Sequence, residues 1–164
     1  KLHLFEYTGS FDFDKEINLP EAAINMEFMN GVICLGFKKS YSLLQVDKQQ
    51  SNNNEQTDEL ESDNSFENPD EMIPLFPLEN STPQMTLFMR NNEFLLAKEE
   101  LGLFISLQGL PSRANIVWKS NVQALASHIC FSVALDFKAQ AITIHNILTQ
   151  QMVQTMPFPQ SKGL

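Results

Sequence analysis

Short apolar runs separated by turn residues recur along most of this chain. A polar break divides "VICLGF" from "YSLLQV", and breaks of similar length divide "FLLA" from "LFISL" and "ICFSVAL" from "AITIHNI". Each run has the length and the bulky, β-branched or aromatic composition that favours a β-strand. The pattern therefore predicts a series of strand–turn–strand hairpins of similar form.

The spacing of these hairpins indicates a repeat. Their second runs begin at Tyr41, Leu103 and Ile142, so the last two starts are 39 residues apart and the first two are 62 apart. Leaving out the 25 residues 47–71 reduces the longer interval to 37. A period near ~40 residues with about four short strands per unit is typical of β-propeller blades. We predict an all-β fold, namely a partial β-propeller of about three blade-like units of antiparallel strands.

Two turns are predicted from their residues. Residues 95–101, "LLAKEEL", have the composition of a helix, but Gly102 directly after them would cost about 1 kcal/mol in a helix interior. Since Gly102 falls where the repeat needs a turn between strands, we predict a hairpin there instead. Between "INMEFM" and "VICLGF", Asn30-Gly31 predicts a type I′ turn, because both of its central residues need a positive φ.

Residues 47–71, "DKQQSNNNEQTDELESDNSFENPDE", interrupt this pattern of apolar runs. Leu60 and Phe66 are the only large apolar residues in the segment, which therefore buries too little surface to offset the entropy of ordering. We predict a disordered acidic insertion loop that connects strands of adjoining repeats and is dispensable for folding. Phosphorylation of its Ser and Thr residues is the alternative to a solvated insertion with no specific role.

The insertion also contains most of the net charge. Nine of the 20 acidic residues and one of the 11 basic residues lie within it, which leaves the rest of the chain with a net charge of −1 out of −9. A nearly neutral body argues against binding to nucleic acid or to an anionic membrane surface.

Residue patterns that perform chemistry are missing. His3, His128 and His145 have neither the spacing of a metal site nor a Cys-x-x-Cys beside them. Strand alternation predicts that His145 faces solvent, while Glu99-Glu100 and Asp70-Glu71 lie in polar turns where burial would not shift their pKa. We predict a non-enzyme with no catalytic, metal or cofactor site; a hydrolase-like propeller would need His or carboxylate groups converging in a central channel.

Four further residues call for a structural or a functional interpretation. Arg113 and Trp118, in "LPSRANIVW", form either a binding patch or a structural pair, with the indole between sheets and Arg113 covering its edge. Cys34 and Cys130 lie inside apolar runs, which favours buried free thiols in a reducing compartment.

An ordered series of segments resembles the citron homology (CNH) domain. The series is "KLHLFEYTGSFDFDKEINLPEAAINMEFMNGVICLGFKKSYSLLQVD", then "EFLLAKEELGLFISLQGLPSRANIVW", then "ALASHICFSVALDFKAQAITIHNILTQQMVQTMPFP". Within that superfamily, "QGLPSRANIVW" and "ITIHNILTQQMVQTMPF" are most similar to the family of TGF-β receptor-associated and CORVET vacuolar-sorting tether subunits. The matching positions Gly36, Gly102, Gly109 and Trp118 are structural in the family motif, so no catalytic residue is implied.

The resemblance implies a partial CNH β-propeller over residues 1–164, expected to be the C-terminal part of that domain in a longer protein. It implies a non-catalytic interaction module of an endosomal tether that acts in vesicle-mediated protein transport. The implied partners are a Rab-type GTPase, tether core subunits, and TGF-β-family receptors or SMAD-type signalling proteins. The implied location is cytoplasmic and peripheral on early endosomes; the alternative is a CNH regulatory module of a kinase or Rho exchange factor. The binding residues are unknown at this stage.

An incomplete propeller has open ends. About three units are fewer than the roughly four to eight blades that close a ring, and each blade buries its faces against its neighbours. We therefore expect exposed apolar faces at the two ends of an open arc, formed by Leu2-Leu4 and Met152-Met156. Such faces predict that the isolated chain is oligomeric or poorly soluble.

Overall fold

The computed structural model describes residues 1–46, 70–88, 91–136 and 138–158. The first two strands, β1 (Leu2–Tyr7) and β2 (Phe11–Ile17), pair as a two-stranded sheet, here called the N-terminal hairpin.

Twelve further strands form three four-stranded antiparallel sheets, here called blades 1 to 3. Blade 1 contains β3 (Asn25–Met29), β4 (Val32–Gly36), β5 (Ser40–Gln45) and β6 (Met72–Pro77). Blade 2 contains β7 (Met85–Phe88), β8 (Glu93–Lys98), β9 (Leu101–Ser106) and β10 (Ile116–Val117). Blade 3 contains β11 (Ala124–His128), β12 (Phe131–Asp136), β13 (Ala141–Asn146) and β14 (Met152–Pro157).

Each blade is built in chain order. Its strands pair with their sequence neighbours, and β7 contacts both β3 and β11, so the first strand of every blade lies on the inside of the arc. The predicted hairpins are β4–β5, β8–β9 and β12–β13, which confirms the all-β, propeller-like fold and excludes a helix over residues 95–101. Asn30 (φ 49°) and Gly31 (φ 77°) both have the positive φ that the type I′ turn requires.

The interface between blades 1 and 2 combines apolar packing with one shared hydroxyl. Cys34, Leu43, Phe94 and Leu96 are buried together in it. The Tyr41 hydroxyl donates to the Ala97 carbonyl at 2.8 Å and accepts from the Gln84 N–H at 2.8 Å, so a side chain of blade 1 satisfies two backbone groups at blade 2. Burial raises the pKa of this phenol, which keeps it protonated.

Blades 2 and 3 pack around Trp118. Its ring is buried with Leu95, Phe104 and Ala134. A Cβ atom added at Gly102 would lie 2.6 Å from this ring, so only glycine permits the indole to approach the sheet so closely. A similar crowding at Gly36 and the positive φ of Gly109 (82°) confirm that these positions of the motif are structural.

The N-terminal hairpin covers the face of blade 1 that points away from blade 2. Leu2 and Ile17 are buried against Leu35 and Leu44, with Leu4 packed beside them. The prediction of an exposed apolar face at Leu2-Leu4 was therefore wrong, because the hairpin directs the Leu2 and Leu4 side chains towards blade 1. The other predicted face is confirmed, since residues 152–156 are exposed along β14.

The acidic insertion lies within a blade. It connects β5 to β6, which pair with each other in blade 1, so the expected connection between adjoining repeats was wrong. Its two ends meet, because the Asp70 N–H donates to the Gln45 carbonyl at 3.0 Å. Residues 47–69, on which the prediction of disorder falls, lie outside the described residues. Across the described ranges, no helix has both the length and the apolar character needed to cross a membrane.

We predict that blade 1 forms without the insertion. Replacing residues 47–69 by a two-residue Asn-Gly turn should change the melting temperature by less than about 3 °C, because the β5–β6 ladder already brings the ends together. Differential scanning calorimetry would measure this change, with a chain whose residues 47–69 are scrambled as the matched control. Loss of the cooperative transition on deletion alone would show that the segment belongs to the core.

Candidate interaction surface

The three candidate histidines lie on two different parts of the fold. No group of three or more His, Cys, Asp or Glu side chains within those ranges is placed to hold a metal ion. His3 pairs with Glu16 at 3.1 Å on the N-terminal hairpin, whereas His128 and His145 lie in blade 3. The convergence that a hydrolase-like propeller requires is therefore missing from the described part of the chain.

His145 is buried, which corrects the prediction that it faces solvent. As alternation predicts, His145 and Ile144 lie on opposite faces of β13. The face that carries His145 packs against blade 2, so its side chain is only 5% exposed. It lies directly across from the buried Ser132 on β12. Neither His145 Nδ1 nor Ser132 Oγ has a hydrogen-bond partner among the described protein atoms. Burial lowers the pKa of His145, because the charged imidazolium is poorly solvated between two sheets.

Arg113 and Trp118 are structural. Trp118 is buried between blades 2 and 3, and Arg113 donates to both carboxylate oxygens of the buried Glu93, at 2.6 and 3.3 Å. The guanidinium also lies 4.9 Å from the centre of the Phe104 ring. The predicted packing of Trp118 between sheets is confirmed. The Arg113 charge is engaged by Glu93, and its guanidinium lies over the Phe104 ring, so the two residues do not form an open binding patch.

The remaining candidates also have structural environments. Cys34 is a buried free thiol whose pKa is raised by burial, and Cys130 is half-buried. The Glu99 carboxylate accepts from the Glu79 N–H at 2.9 Å, and Asp70 pairs with Lys15 at 2.7 Å. These two carboxylates hold turns and loop ends in place.

The turns after the inner strands form one rim of the arc. The β3–β4 and β7–β8 turns contact each other, because Asn30 Nδ2 donates to Asn92 Oδ1 at 3.1 Å. Both asparagines are in the left-handed region, with φ of 49° and 52°. The equivalent residue of the β11–β12 turn is Ile129, with φ of 53°. A β-branched residue rarely adopts this conformation, whereas asparagine does so readily.

Ile129 and Leu148 form an exposed apolar pair on this rim, here called the rim patch. Ile129 is 68% exposed and Leu148 is 61% exposed. The Ile147 N–H donates to the Cys130 carbonyl at 2.8 Å, which joins the two turns that present them. Asn146 Oδ1 accepts from the Leu148 N–H at 2.9 Å and fixes the second turn. The patch is therefore held rigidly by backbone hydrogen bonds.

The rim patch combines local strain with exposed apolar surface. An isoleucine in the left-handed region costs on the order of 1–2 kcal/mol, and an exposed position offers little packing in return. No Asp, Glu, Lys or Arg occurs in residues 128–130 or 147–151, and His128 directly precedes Ile129. Sequence analysis missed the patch, although aligning "MNGV" with "HICF" across the repeats would have shown isoleucine in place of the turn asparagine.

Comparison with known proteins identifies the family. A family model described as "CNH domain" matches residues 1–164. The chain belongs to the CNH domain family. In structure, this CNH chain is similar to a solved "AfRom2 CNH domain", with a TM-score of 0.58 and 19% identity over 94% of this chain and 46% of that one. At that identity the likeness establishes the fold alone.

The CNH chain also has named relatives. It is 26% identical over 154 residues to transforming growth factor-beta receptor-associated protein 1 of Mus musculus, covering 93% of this chain and 15% of the relative. Identity to the Homo sapiens protein of the same name is 37% over 86 residues, or 51% of this chain and 10% of the relative. The chain thus spans about a seventh of the mouse relative's length. These relationships support a protein-interaction module.

We predict that relieving the strain at Ile129 stabilises the CNH chain. Ile129→Asn should raise the free energy of unfolding by about 1 kcal/mol, since asparagine tolerates the left-handed conformation and little packing is lost. Urea denaturation would measure the change. Ile129→Val is the matched control, because it retains the β-branch and should leave stability unchanged. A destabilised Ile129→Asn variant would contradict the strain argument.

We predict that His145 makes the chain less stable in mild acid. Its folded pKa lies below the ordinary value of 6.5, so the unfolded chain binds the proton more readily. The free energy of unfolding that the neutral His145 contributes is complete above pH 6.5. It is lost as the pH falls from 6.5 towards the folded pKa. Urea denaturation at pH 7.5 and 5.5 should show a smaller loss for His145→Gln than for the unchanged chain. His128→Gln, on the exposed end of β11, should retain the full loss; equal losses in all three chains would refute the assignment.

Proposed function

We propose that this CNH chain is a non-catalytic interaction module of a CORVET-like endosomal tethering subunit. In this role it recognises a Rab-type GTPase or another membrane-bound partner during vesicle-mediated transport and endosome fusion. The observation that carries the proposal is the relationship to proteins named as receptor-associated, over 93% of the chain in the mouse case. The name of these relatives supports a receptor of the TGF-β type as a second class of partner. SMAD-type signalling proteins are proposed alongside such a receptor.

The proposal places the module in the cytoplasm and at the early endosome. The nearly neutral body makes direct binding to anionic lipid a poor mechanism, so partners provide the attachment to the membrane. Tether core subunits would bind elsewhere in a longer polypeptide.

The rim patch is the surface that best fits protein recognition. Its two aliphatic side chains are exposed on hydrogen-bonded turns that contain no Asp, Glu, Lys or Arg, which suits a complementary apolar surface on a partner. The strain at Ile129 gives a physical reason to assign function there, because this residue reduces stability. Glu93 and His145 are buried and Glu93 engages the Arg113 guanidinium, so these charged and titratable groups are poorly placed to contact such a partner.

The test is a binding panel that also includes the alternative partners. The purified chain is titrated with Rab-family and Rho-family GTPases, each loaded with GDP or a non-hydrolysable GTP analogue, and with the cytoplasmic region of a TGF-β-type receptor. Biolayer interferometry should show binding to a Rab-family protein in one nucleotide state, or to the receptor. Selective binding to Rho-family proteins would instead favour a regulatory module of an exchange factor or kinase.

Variants of the rim patch separate binding from folding. Ile129→Asn and Leu148→Asp should each weaken the observed binding by about tenfold or more, in line with the loss of a central apolar anchor. Val117→Asp is the control, since Val117 is equally exposed but lies on β10. Because Ile129→Asn should also raise stability, its loss of binding would not result from unfolding. A correctly folded chain that binds no member of the panel would refute the proposal.

A further inference from the structure

Blade 3 presents a polar row to blade 2 at positions that are apolar in the other blades. Ser127, Ser132 and His145 lie side by side on β11, β12 and β13. This row faces blade 2, because Ser127 Oγ lies 2.8 Å from Thr86 Oγ1 of β7. The strand registers give the equivalent residues, which are Leu87, Phe94 and Ile105 in blade 2 and Phe28, Ile33 and Leu44 in blade 1. His145 therefore occupies a position where the repeat otherwise has an aliphatic residue.

His145 lies two residues before the backbone group that joins the two turns of the rim patch. The Ile147 N–H donates to the Cys130 carbonyl at 2.8 Å, which connects the β13–β14 turn to the β11–β12 turn. The Ile147 carbonyl accepts from Arg113 Nη1 of blade 2 at 3.4 Å. The end of β13 is thus tied both to the rim patch and to the joint between the blades.

Blade 1 contains the same turn-to-turn hydrogen bond. The Val46 N–H donates to the Gly31 carbonyl at 2.8 Å, and Val46 follows Leu44 at the same interval at which Ile147 follows His145. The repeat therefore provides one such bond beside an aliphatic side chain and another beside a titratable one.

The carboxylates that face His145 are already hydrogen-bonded. From blade 2, the charged residues on the facing side are Glu93 and Arg113, and Arg113 donates to both Glu93 oxygens. Within blade 3, Asp136 lies on the same face of β12, where both of its oxygens accept hydrogen bonds. On the neighbouring strands, β14 contains no charged residue, and His128 of β11 lies on the opposite face.

A proton on His145 therefore favours movement of the imidazole towards water. Burial lowers the pKa of this side chain, since the joint solvates the cation poorly. Ser132 Oγ, directly across on β12, offers one neutral acceptor, which replaces hydration only in part. His145 is next to last in β13, and the pairing with β14 is irregular between Ile144 and His145. The end of the strand can thus separate while the rest of the sheet remains paired.

We propose that His145 is a proton-dependent switch for the rim patch. With a neutral imidazole in the joint, the bond between Ile147 and Cys130 holds Ile129 and Leu148 on adjoining turns. When the imidazole takes up a proton it leaves the joint, this bond opens and the two aliphatic side chains separate. Partner binding at the rim patch, which this inference takes from the proposed function, is therefore strong at neutral pH and weak in mild acid.

The first test needs no partner. NMR-detected hydrogen exchange at pH 7.5 and 5.5 gives protection factors for the equivalent amides of Ile147 and Val46. The protection of Ile147 relative to Val46 should fall by at least about tenfold at the lower pH, the equivalent of one pKa unit of linkage. In His145→Leu, which introduces the residue of blade 1, this ratio should stay constant. His128→Gln should retain the full fall, because His128 titrates outside the joint.

Three results would overturn the switch. One is a constant ratio in the unchanged chain, and another is a fall that persists in His145→Leu. The third is an equal loss of protection at both amides, which indicates acid unfolding of the whole chain. If His145→Leu does not fold, the ring protons of His145 provide the assignment, since their NMR titration must have the same midpoint as the fall in the ratio.

The second test measures regulation of binding. A partner that binds at pH 7.5 should bind the unchanged chain about tenfold or more weakly at pH 5.5, with little change for His145→Leu. An equal pH dependence in the two chains would overturn the proposal, because the titrating group would then lie elsewhere. Absence of binding at both pH values would refute the proposed function, while the exchange ratio would still decide whether His145 controls the two turns.

Discussion

Packing of one sheet face against the next is the constraint on which this molecule depends. A four-stranded blade is too small to bury a core of its own, so every buried cluster lies between two successive sheets. A sheet face that packs against a neighbouring sheet is consequently an interior face, where polar residues need partners inside the protein. The Tyr41 hydroxyl and the Arg113–Glu93 pair satisfy this requirement with backbone and side-chain partners across or beside the interfaces.

This constraint explains which sequence predictions succeeded. The hairpins and the Asn30-Gly31 turn depend on local alternation and on backbone conformation, so the sequence is sufficient to identify them. The face on which His145 lies was also predictable from alternation. Its burial was not, because alternation separates two faces without showing that both are covered, and the rule that polar residues face water applies only to sheets with one open side.

Long-range pairing was the other limit. The position of residues 47–71 within blade 1 depends on β5 pairing with β6, and the direction of Leu2 depends on the hairpin folding back over blade 1. The spacing of the repeats contains neither fact. An insertion inside a blade and an insertion between two blades lengthen the same interval by the same amount. The repeat does place Ile129 at a turn position, but the hydrogen bond between Ile147 and Cys130 that joins this turn to the β13–β14 turn is a long-range contact that spacing does not specify.

The place of Trp118 gives the molecule an intrinsic optical probe. It is the only tryptophan in the sequence, it is buried between blades 2 and 3, and its indole N–H has no hydrogen-bond partner among the described protein atoms. Its emission therefore reports on water entering that one interface, whereas the interface of blades 1 and 2 contains Tyr41 instead. The exposed Tyr7 is a second source of tyrosine emission, so Trp118 is the specific reporter. Comparing its emission with the backbone circular dichroism during unfolding distinguishes whether the joint of blades 2 and 3 opens first or the arc melts as a single unit.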